Sequence, residues 1–385
     1  MNRKQLLLLF VCCLVPWTVG NGLMPLLPVY ALQLGASPAV TGYYLALAFV
    51  ALAVGTFFAG WLADRFQRRK ILLVLSGIIM IPSVWMMGGV RNIWHLATAT
   101  AAVFFLFGVE IAVINILAGL FAGEKERGRV FGLLGLTMGL GAIIGGLSVG
   151  PIVDRWGYQT MFSVLCLFSV ILPITGLLVK DKRIEEVPGH AAKEQREKTK
   201  FGITFILLLF AHVIAVIVNG TGNMGKSLSM NDLGFAAAAI TSTGVIAGLV
   251  SLPFPFLLGW LSDRMGRKRL MIICYASYAL SMVMFAVSTS LWHFWIATTL
   301  MGIGIISNSV GTAFVTDLVA PKVLGRGISL FQGMFWIGNV VGSALAGYTF
   351  QQLGITPVLL VGAVLPLIGI VLLGPIQTAK KRIPA

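Results

Sequence analysis

Charge is scarce in this chain: only 11% of its 385 residues are Asp, Glu, Lys or Arg, against 58% hydrophobic. No soluble domain of this length manages with so little polar surface. Cysteine is scarce too. Cys12, Cys13, Cys166 and Cys274 all fall in apolar runs, with no Cys-x-x-Cys or Cys/His spacing, so they read as small packing residues and no metal is expected. The four histidines are equally scattered. No phosphate-binding loop or ATP-binding domain is present, which excludes ATP-driven work in cis. No nucleophile–base constellation appears either, so an enzyme is not expected. Alternation with a period of two is also missing, which excludes a β-barrel.

What is present is long apolar runs, with a mean hydropathy of +0.94. Crossing a ~30 Å hydrocarbon core takes about 20 residues of helix. Twelve runs of that order fall at 5–32, 38–63, 71–90, 95–121, 130–151, 159–179, 201–224, 234–261, 270–288, 292–318, 327–350 and 356–376. These are predicted as spans 1 to 12 of an all-α polytopic membrane protein. The first run follows Arg3-Lys4 but is too long for a signal peptide, so it is expected to be retained. The only long polar stretch is 180–200, with seven basic and five acidic residues around Pro188-Gly189; it reads as a solvated linker. The expected organisation is a six-helix bundle at 1–179, that linker, and a second bundle at 201–385.

The formal net charge is +15, but its placement argues against nucleic acid. With both termini on one side, 25 of the 28 Lys and Arg fall on that side; Arg91, Arg155 and Lys226 are the exceptions. This bias places both termini in the cytoplasm and the protein in the inner membrane, with anionic lipid at the basic face.

The chain also repeats itself. Gly60–Lys70 reads Gly-Trp-Leu-Ala-Asp-Arg-Phe-Gln-Arg-Arg-Lys, and Gly259–Arg269 reads Gly-Trp-Leu-Ser-Asp-Arg-Met-Gly-Arg-Lys-Arg. The offset is 199 residues. Gly35 matches Gly234 at the same offset, Trp94-His95 matches Trp292-His293, Gly128-Arg129 matches Gly325-Arg326, and Gly141-x-x-x-Gly145 matches Gly338-x-x-x-Gly342. The order is kept across six spans, so the halves are parallel repeats.

On these motifs the chain resembles the major facilitator superfamily over its full length. The family's loop signature G-x-x-x-D-R-x-G-R-[RK] is met by Gly60, Asp64, Arg65, Arg68 and Arg69, with Gln67 where Gly is usual. Gly259, Asp263, Arg264, Gly266, Arg267 and Lys268 meet it fully. Pro25-Leu-Leu-Pro28 resembles the P-x-x-P of bacterial twelve-helix drug:proton antiporters. Two antiporter features are absent: Gly145-Gly146 stands where Gly-Pro is usual, and no Arg lies near Phe104. The resemblance implies two pseudo-symmetric six-helix bundles. It also implies that Asp64 meets the start of span 11 near Arg326, and Asp263 the start of span 5 near Arg129, forming a cytoplasmic gate. The bland alternative is that the basic residues merely fix topology.

Of thirteen acids, Glu110 alone falls at mid-membrane, in span 4. An ionised carboxylate there costs several kcal/mol, so it is expected to be protonated and to carry the coupling proton. Its repeat mate is Asn308. The alternative is a neutral Glu bonded to a neighbouring helix for packing. His212, midway along span 7, is the second titratable group at depth. Asn21, Asn219, Asn223, Asn308, Gln332 and Trp336 are candidate substrate contacts, with Trp17 a weaker one; each polar residue serves equally as interhelical glue. The expected function is a secondary carrier working by alternating access. Proton-coupled efflux of an apolar or amphiphilic compound is favoured, with uptake of a neutral metabolite as the alternative and a non-transporting receptor further behind. No cofactor beyond the proton gradient is expected, and a monomer is.

Overall fold

The computed structural model describes residues 2–123, 126–181, 201–253, 257, 261, 262, 264–319 and 323–376, with Asp64 described in its backbone only. Gly259, Asp263 and nearly all of the expected linker (182–200) lie outside the described residues. Every regular element described is helical: α1 (Arg3–Leu23), α2 (Leu27–Gln33), α3 (Pro38–Phe66), α4 (Arg69–Gly88), α5 (Ile93–Phe121), α6 (Arg127–Ser169), α7 (Ile171–Leu178), α8 (Ile203–Asp232), α9 (Ala237–Ser251), α10 (Arg267–Val287), α11 (Leu291–Ile305), α12 (Ser307–Leu318), α13 (Leu324–Leu353), α14 (Ile355–Gly362) and α15 (Val364–Leu373).

Among the described residues, ten helical segments are long and apolar enough to cross a membrane. One of them, Arg127–Leu178, runs 52 residues and holds two crossings, because Gly157 (φ 79°, ψ 174°) breaks the helix inside it. The fifteen-residue α9 is the continuous helix described within span 8. All twelve predicted spans therefore have a helix. Span 1 is not one rod: α1 ends at Leu23 and α2 starts at Leu27 with proline in its first turn. Pro25 and Pro28 supply no N–H, which unties the helix there. Odd-numbered spans run from the face carrying the first residues (the near face) to the opposite, far face.

The contacts group the chain into two units. The first holds Met1–Ile184, Asn223–Leu252 and Ala344–Gln352; the second holds Glu185–Gly222, Pro253–Ser343 and Leu353–Ala385. The core of the first unit is apolar and draws on Leu9, Cys12 and Val15 of α1, Leu73 of α4, Val109, Val113 and Leu117 of α5, and Leu134 of α6. In the second unit Tyr275, Tyr278, Phe294, Phe314 and Phe331 are fully buried.

Backbone dihedrals expose the repeat more sharply than side chains do. Six described residues have positive φ, and they form three repeat pairs: Gly35 (80°) with Gly234 (77°), Gln67 (49°) with Gly266 (89°), and Gly157 (79°) with Gly354 (81°). Each is a turn where a helix stops. Gln67 is the one side-chain-bearing member, and its ψ of 22° puts it in the left-handed basin that such residues tolerate. Gly266 sits at ψ 140°, where a Cβ clashes with backbone. The two basic loops thus turn differently. Gly266→Gln is expected to destabilise by about 2 kcal/mol, whereas Gln67→Gly is expected to be neutral or stabilising by up to about 1 kcal/mol. Thermal unfolding in detergent checks both; equal shifts would contradict the difference in geometry.

Candidate functional site

Glu110 lies on α5, 0% exposed, within the apolar core of the first unit. Neither carboxyl oxygen has a hydrogen-bond partner among the described residues. Cys12 of α1 lies within electrostatic range, but its thiol is engaged by Thr175 Oγ1 at 3.1 Å. The packing alternative calls for a hydrogen bond from a neighbouring helix, and among the described residues the carboxyl makes none. A buried carboxylate without donors is strongly disfavoured against its neutral acid.

The second unit assembles a polar cluster from α8, α10, α12 and α13. The His212 ring stacks on Phe331 with centroids 4.1 Å apart, and its Nδ1 lies 3.3 Å from the Tyr275 hydroxyl. Asn308 adjoins the ring and donates through Nδ2 to Gln332 Oε1 at 3.2 Å. Gln332 Nε2 in turn donates to Thr312 Oγ1 at 3.2 Å. His212 Nε2 and Asn308 Oδ1 remain without partners in good geometry. Asn219 Nδ2 donates to Asn339 Oδ1 at 2.7 Å, and Asn339 to Phe335 O at 2.8 Å. Three predicted residues, His212, Asn308 and Gln332, thus come together. Trp336 stands edge-on to Phe335 with centroids 5.3 Å apart.

In the first unit, Asn21 donates to Met138 O at 3.1 Å, tying α1 to α6. Trp17 packs edge-on against Phe107 at 5.1 Å. Asn223 accepts from Lys226 Nζ at 3.5 Å. One donor of the Asn21 amide thus ties two helices of this unit.

The basic loops divide. Gly60 faces open space, and Arg65 is exposed with its guanidinium over Trp61 at 5.6 Å. Arg69 is buried, and Arg68, Arg129, Arg264 and Arg326 are exposed. Arg267 has a different role: it pairs with Asp317 Oδ2 at 2.8 Å and donates to Ala313 O and Thr316 Oγ1, at the end of α12. Lys268 Nζ donates to Gly374 O at 2.6 Å and Ile376 O at 2.9 Å, at the end of α15. Cations on unsatisfied C-terminal carbonyls are favourable. Asp181 similarly accepts from Lys70 N at 3.0 Å in the first turn of α4. These residues staple helices together as well as marking the basic face.

Sequence reasoning missed the far-face contacts of the first unit. Asp154, near the outer end of the first half of α6, accepts from Ala237 N through Oδ1 and from Ala238 N through Oδ2, both at 2.8 Å. It caps α9, whose own N-cap is Ala236 and supplies no side-chain acceptor. The repeat mate of Asp154 at offset 197 is Gln351, and Gln351 Oε1 accepts from Ala39 N at 3.3 Å in the first turn of α3. There the N-cap is Ser37, which also caps its own helix through Val40 N at 3.3 Å. So a carboxylate stands where the local cap is missing, and a neutral amide where it is present. The signal was in the sequence: Ser37 against Ala236, and Gln351 against Asp154, at repeat positions. Small residues bring these ends close. A Cβ on Gly150 would lie 2.5 Å from Ala238 Cα, and one on its mate Gly347 would lie 2.6 Å from Gly42 Cα. The far ends of α6 and α9, and of α3 and α13, are therefore zipped shut. Asp154→Ala is expected to weaken this closure by about 1–2 kcal/mol, and Gln351→Ala by less than about 1 kcal/mol. Labelling of an Asn21→Cys variant by an impermeant maleimide applied at the far face reads the difference; equal labelling of both would contradict it.

Two segments of the chain, 6–225 and 208–384, match the Major Facilitator Superfamily. Among curated relatives, "Multidrug resistance protein MdtG" of Klebsiella pneumoniae (strain 342) is 26% identical, covering 100% of this chain and 95% of its own. The MdtG protein of Escherichia fergusonii is 27% identical over 96% and 93%. Among solved structures, the nucleoside transporter NupG aligns with a TM-score of 0.78 at 16% identity, covering 99% of this chain and 100% of that one. A bacterial homologue of the lysosomal transporter Spinster, inward-facing and occupied, aligns at 0.76 and 13% over 96% and 95%. These structures share the fold.

Proposed function

This chain belongs to the Major Facilitator Superfamily, and on that premise we propose that it is a proton-coupled efflux carrier for apolar or amphiphilic compounds in the inner membrane, with the near face in the cytoplasm. The transporter class follows from the family. Efflux is supported by the full-length relatives named for multidrug resistance, and the basic bias of the near face, 25 of 28 cations, supports its cytoplasmic placement. Proton coupling rests on one observation: Glu110 is fully buried, with both oxygens unpartnered among the described residues.

The cycle follows from physical chemistry. When water reaches Glu110, its carboxyl exchanges protons with that side. When the site is sealed, the ionised form is penalised by several kcal/mol, so only the protonated carrier, or one holding cargo in a compensating environment, changes state readily. A proton entering from the far face and a cargo molecule entering from the near face then exchange. Far-face closure is the work of the α6–α9 and α3–α13 contacts. The near-face gate falls to Asp64 and Asp263, which lie outside the described side chains; there we propose contacts with the starts of α13 and α6 around Arg326 and Arg129. The cluster of His212, Asn308 and Gln332 supplies donors and acceptors to polar parts of a cargo. The protein is expected to act as a monomer, with anionic lipid at its basic face.

The test is transport in reconstituted vesicles of the neutral fluorescent amphiphile N-phenyl-1-naphthylamine, under an imposed pH gradient. Accumulation that follows the gradient and collapses with a protonophore is expected. Movement indifferent to the gradient would remove proton coupling; no movement of this probe would remove the apolar-efflux reading.

A further inference from the structure

Lys226 is a buried basic residue with no part in the transport cycle. Lys226 lies on α8, toward the far face, and is 4% exposed. Its flanking residues Gly225, Ser227 and Leu228 are buried as well, so this part of the helix is enclosed on every side. Its one hydrogen bond among the described residues is to Asn223 Oδ1 at 3.5 Å, the outer limit for such a bond. No carboxylate lies within ion-pair distance of it among the described residues. Asp154, an acid of the same far-face region, spends both oxygens on Ala237 and Ala238. Asp232, at the end of the same helix, is exposed. By helical register His212, Asn219, Asn223 and Lys226 follow one another at spacings of seven, four and three, so they share one face of α8. Lys226 is the only lysine or arginine on that polar stripe.

An enclosed ammonium without a counter-ion costs several kcal/mol. Placing a lysine there is sensible if something brings the missing negative charge. An ammonium offers three donors, and at most one is engaged here, weakly. It acts as a point charge rather than a planar fork, so it suits any compact anionic group. We propose that Lys226 binds the anionic group of the cargo, and that the carrier accepts organic monoanions with an apolar body, such as carboxylates or sulfonates. One cation balances one negative charge. The amides of Asn219 and Asn223 lie along the path toward mid-membrane, where the apolar body would sit. The pair forms while the far face is zipped, where the dielectric is low and the attraction is strong. When the far face opens, water screens it to about 1 kcal/mol at 4 Å, and the anion leaves. The position near the exit gives the last contact before release. Its repeat mate falls at Leu27-Pro28, in the first turn of α2, so the site exists in one half only.

This inference rests on the efflux reading and names its cargo class. The experiment uses a matched pair: N-phenyl-1-naphthylamine and its sulfonate, 8-anilinonaphthalene-1-sulfonate. The full chain is reconstituted into vesicles of phosphatidylcholine alone, then into vesicles containing phosphatidylglycerol. Wild type is expected to move both probes. Lys226→Gln is expected to lower the ratio of sulfonate to neutral flux at least tenfold, and Lys226→Arg to keep that ratio within about threefold. The ratio is taken on the same vesicles, so poorly folded protein does not mimic the effect. An unchanged ratio in Lys226→Gln overturns the proposal, as does wild type that moves only the neutral probe. An effect confined to phosphatidylglycerol vesicles overturns it too, because lipid phosphate would then be the ligand. Movement of neither probe by wild type overturns the efflux reading and the assignment of Lys226 with it.

Discussion

Gly150→Val is expected to abolish transport, lowering flux at least 100-fold, and to leave the far face open. The reasoning is steric. A Cβ at position 150 would lie 2.5 Å from Ala238 Cα and 2.6 Å from Ala237 O, both backbone atoms that no rotamer change relieves. A branched side chain forces α6 away from α9, and the Asp154 bonds to Ala237 and Ala238, each 2.8 Å long, are lost with it. Packed helices in lipid have no hydrophobic force between them to absorb the gap, so close approach of small residues is itself the stabilising term. Gly347→Val is expected to act alike through Pro38 and Gly42. The readout is labelling of Asn21→Cys by an impermeant maleimide from the far face, which should rise severalfold beside the loss of flux. Lost flux with unchanged labelling would mean that the substitution acts on folding rather than on closure.

Glu110→Gln is the second large effect. Glutamine matches the protonated carboxyl in shape and carries no titratable proton, so the protein is expected to fold. Proton-driven accumulation is expected to fall at least 100-fold, while exchange of labelled for unlabelled probe, without any gradient, stays within about threefold. This split isolates coupling from binding. Glu110→Ala removes the same proton but leaves a cavity in the apolar core formed by α1, α4 and α5, at a cost of about 2–4 kcal/mol. It should therefore lower stability as well. Normal accumulation in Glu110→Gln would move the coupling proton elsewhere, and His212 is the next titratable group at depth.

The fold was legible because lipid leaves few options. Runs of about 20 apolar residues have to be helices, and basic loops report sidedness; twelve spans follow from these two facts. Two details escaped the hydropathy pattern. Pro25 and Pro28 divide span 1, and Gly157 joins spans 5 and 6 with a single non-helical residue. Both are backbone effects that hydropathy does not register. The candidate site was legible where chemistry was out of place. Glu110 stood out as an acid at depth, and its lack of a hydrogen-bond partner among the described residues is what the structure adds. His212, Asn308 and Gln332 were named separately, and only the packing of α8, α12 and α13 could bring them together. Arg267 and Lys268 looked like topology markers, yet each closes the end of another helix, because a loop cation reaches whichever carbonyls are left over. The far-face latches were hidden for the opposite reason. Asp154 and Gln351 are ordinary interfacial residues until the repeat aligns them, and until Ala236 is seen to lack the cap that Ser37 provides.

The central claim is that cargo and proton cross in opposite directions through one carrier. It is tested most directly by enclosing a pH-sensitive dye in vesicles of the reconstituted protein and imposing a gradient of N-phenyl-1-naphthylamine alone, with membrane potential clamped. The account predicts proton movement opposite to the probe, present in wild type and absent in Glu110→Gln. Probe flux through wild type with no accompanying change in internal pH would contradict it.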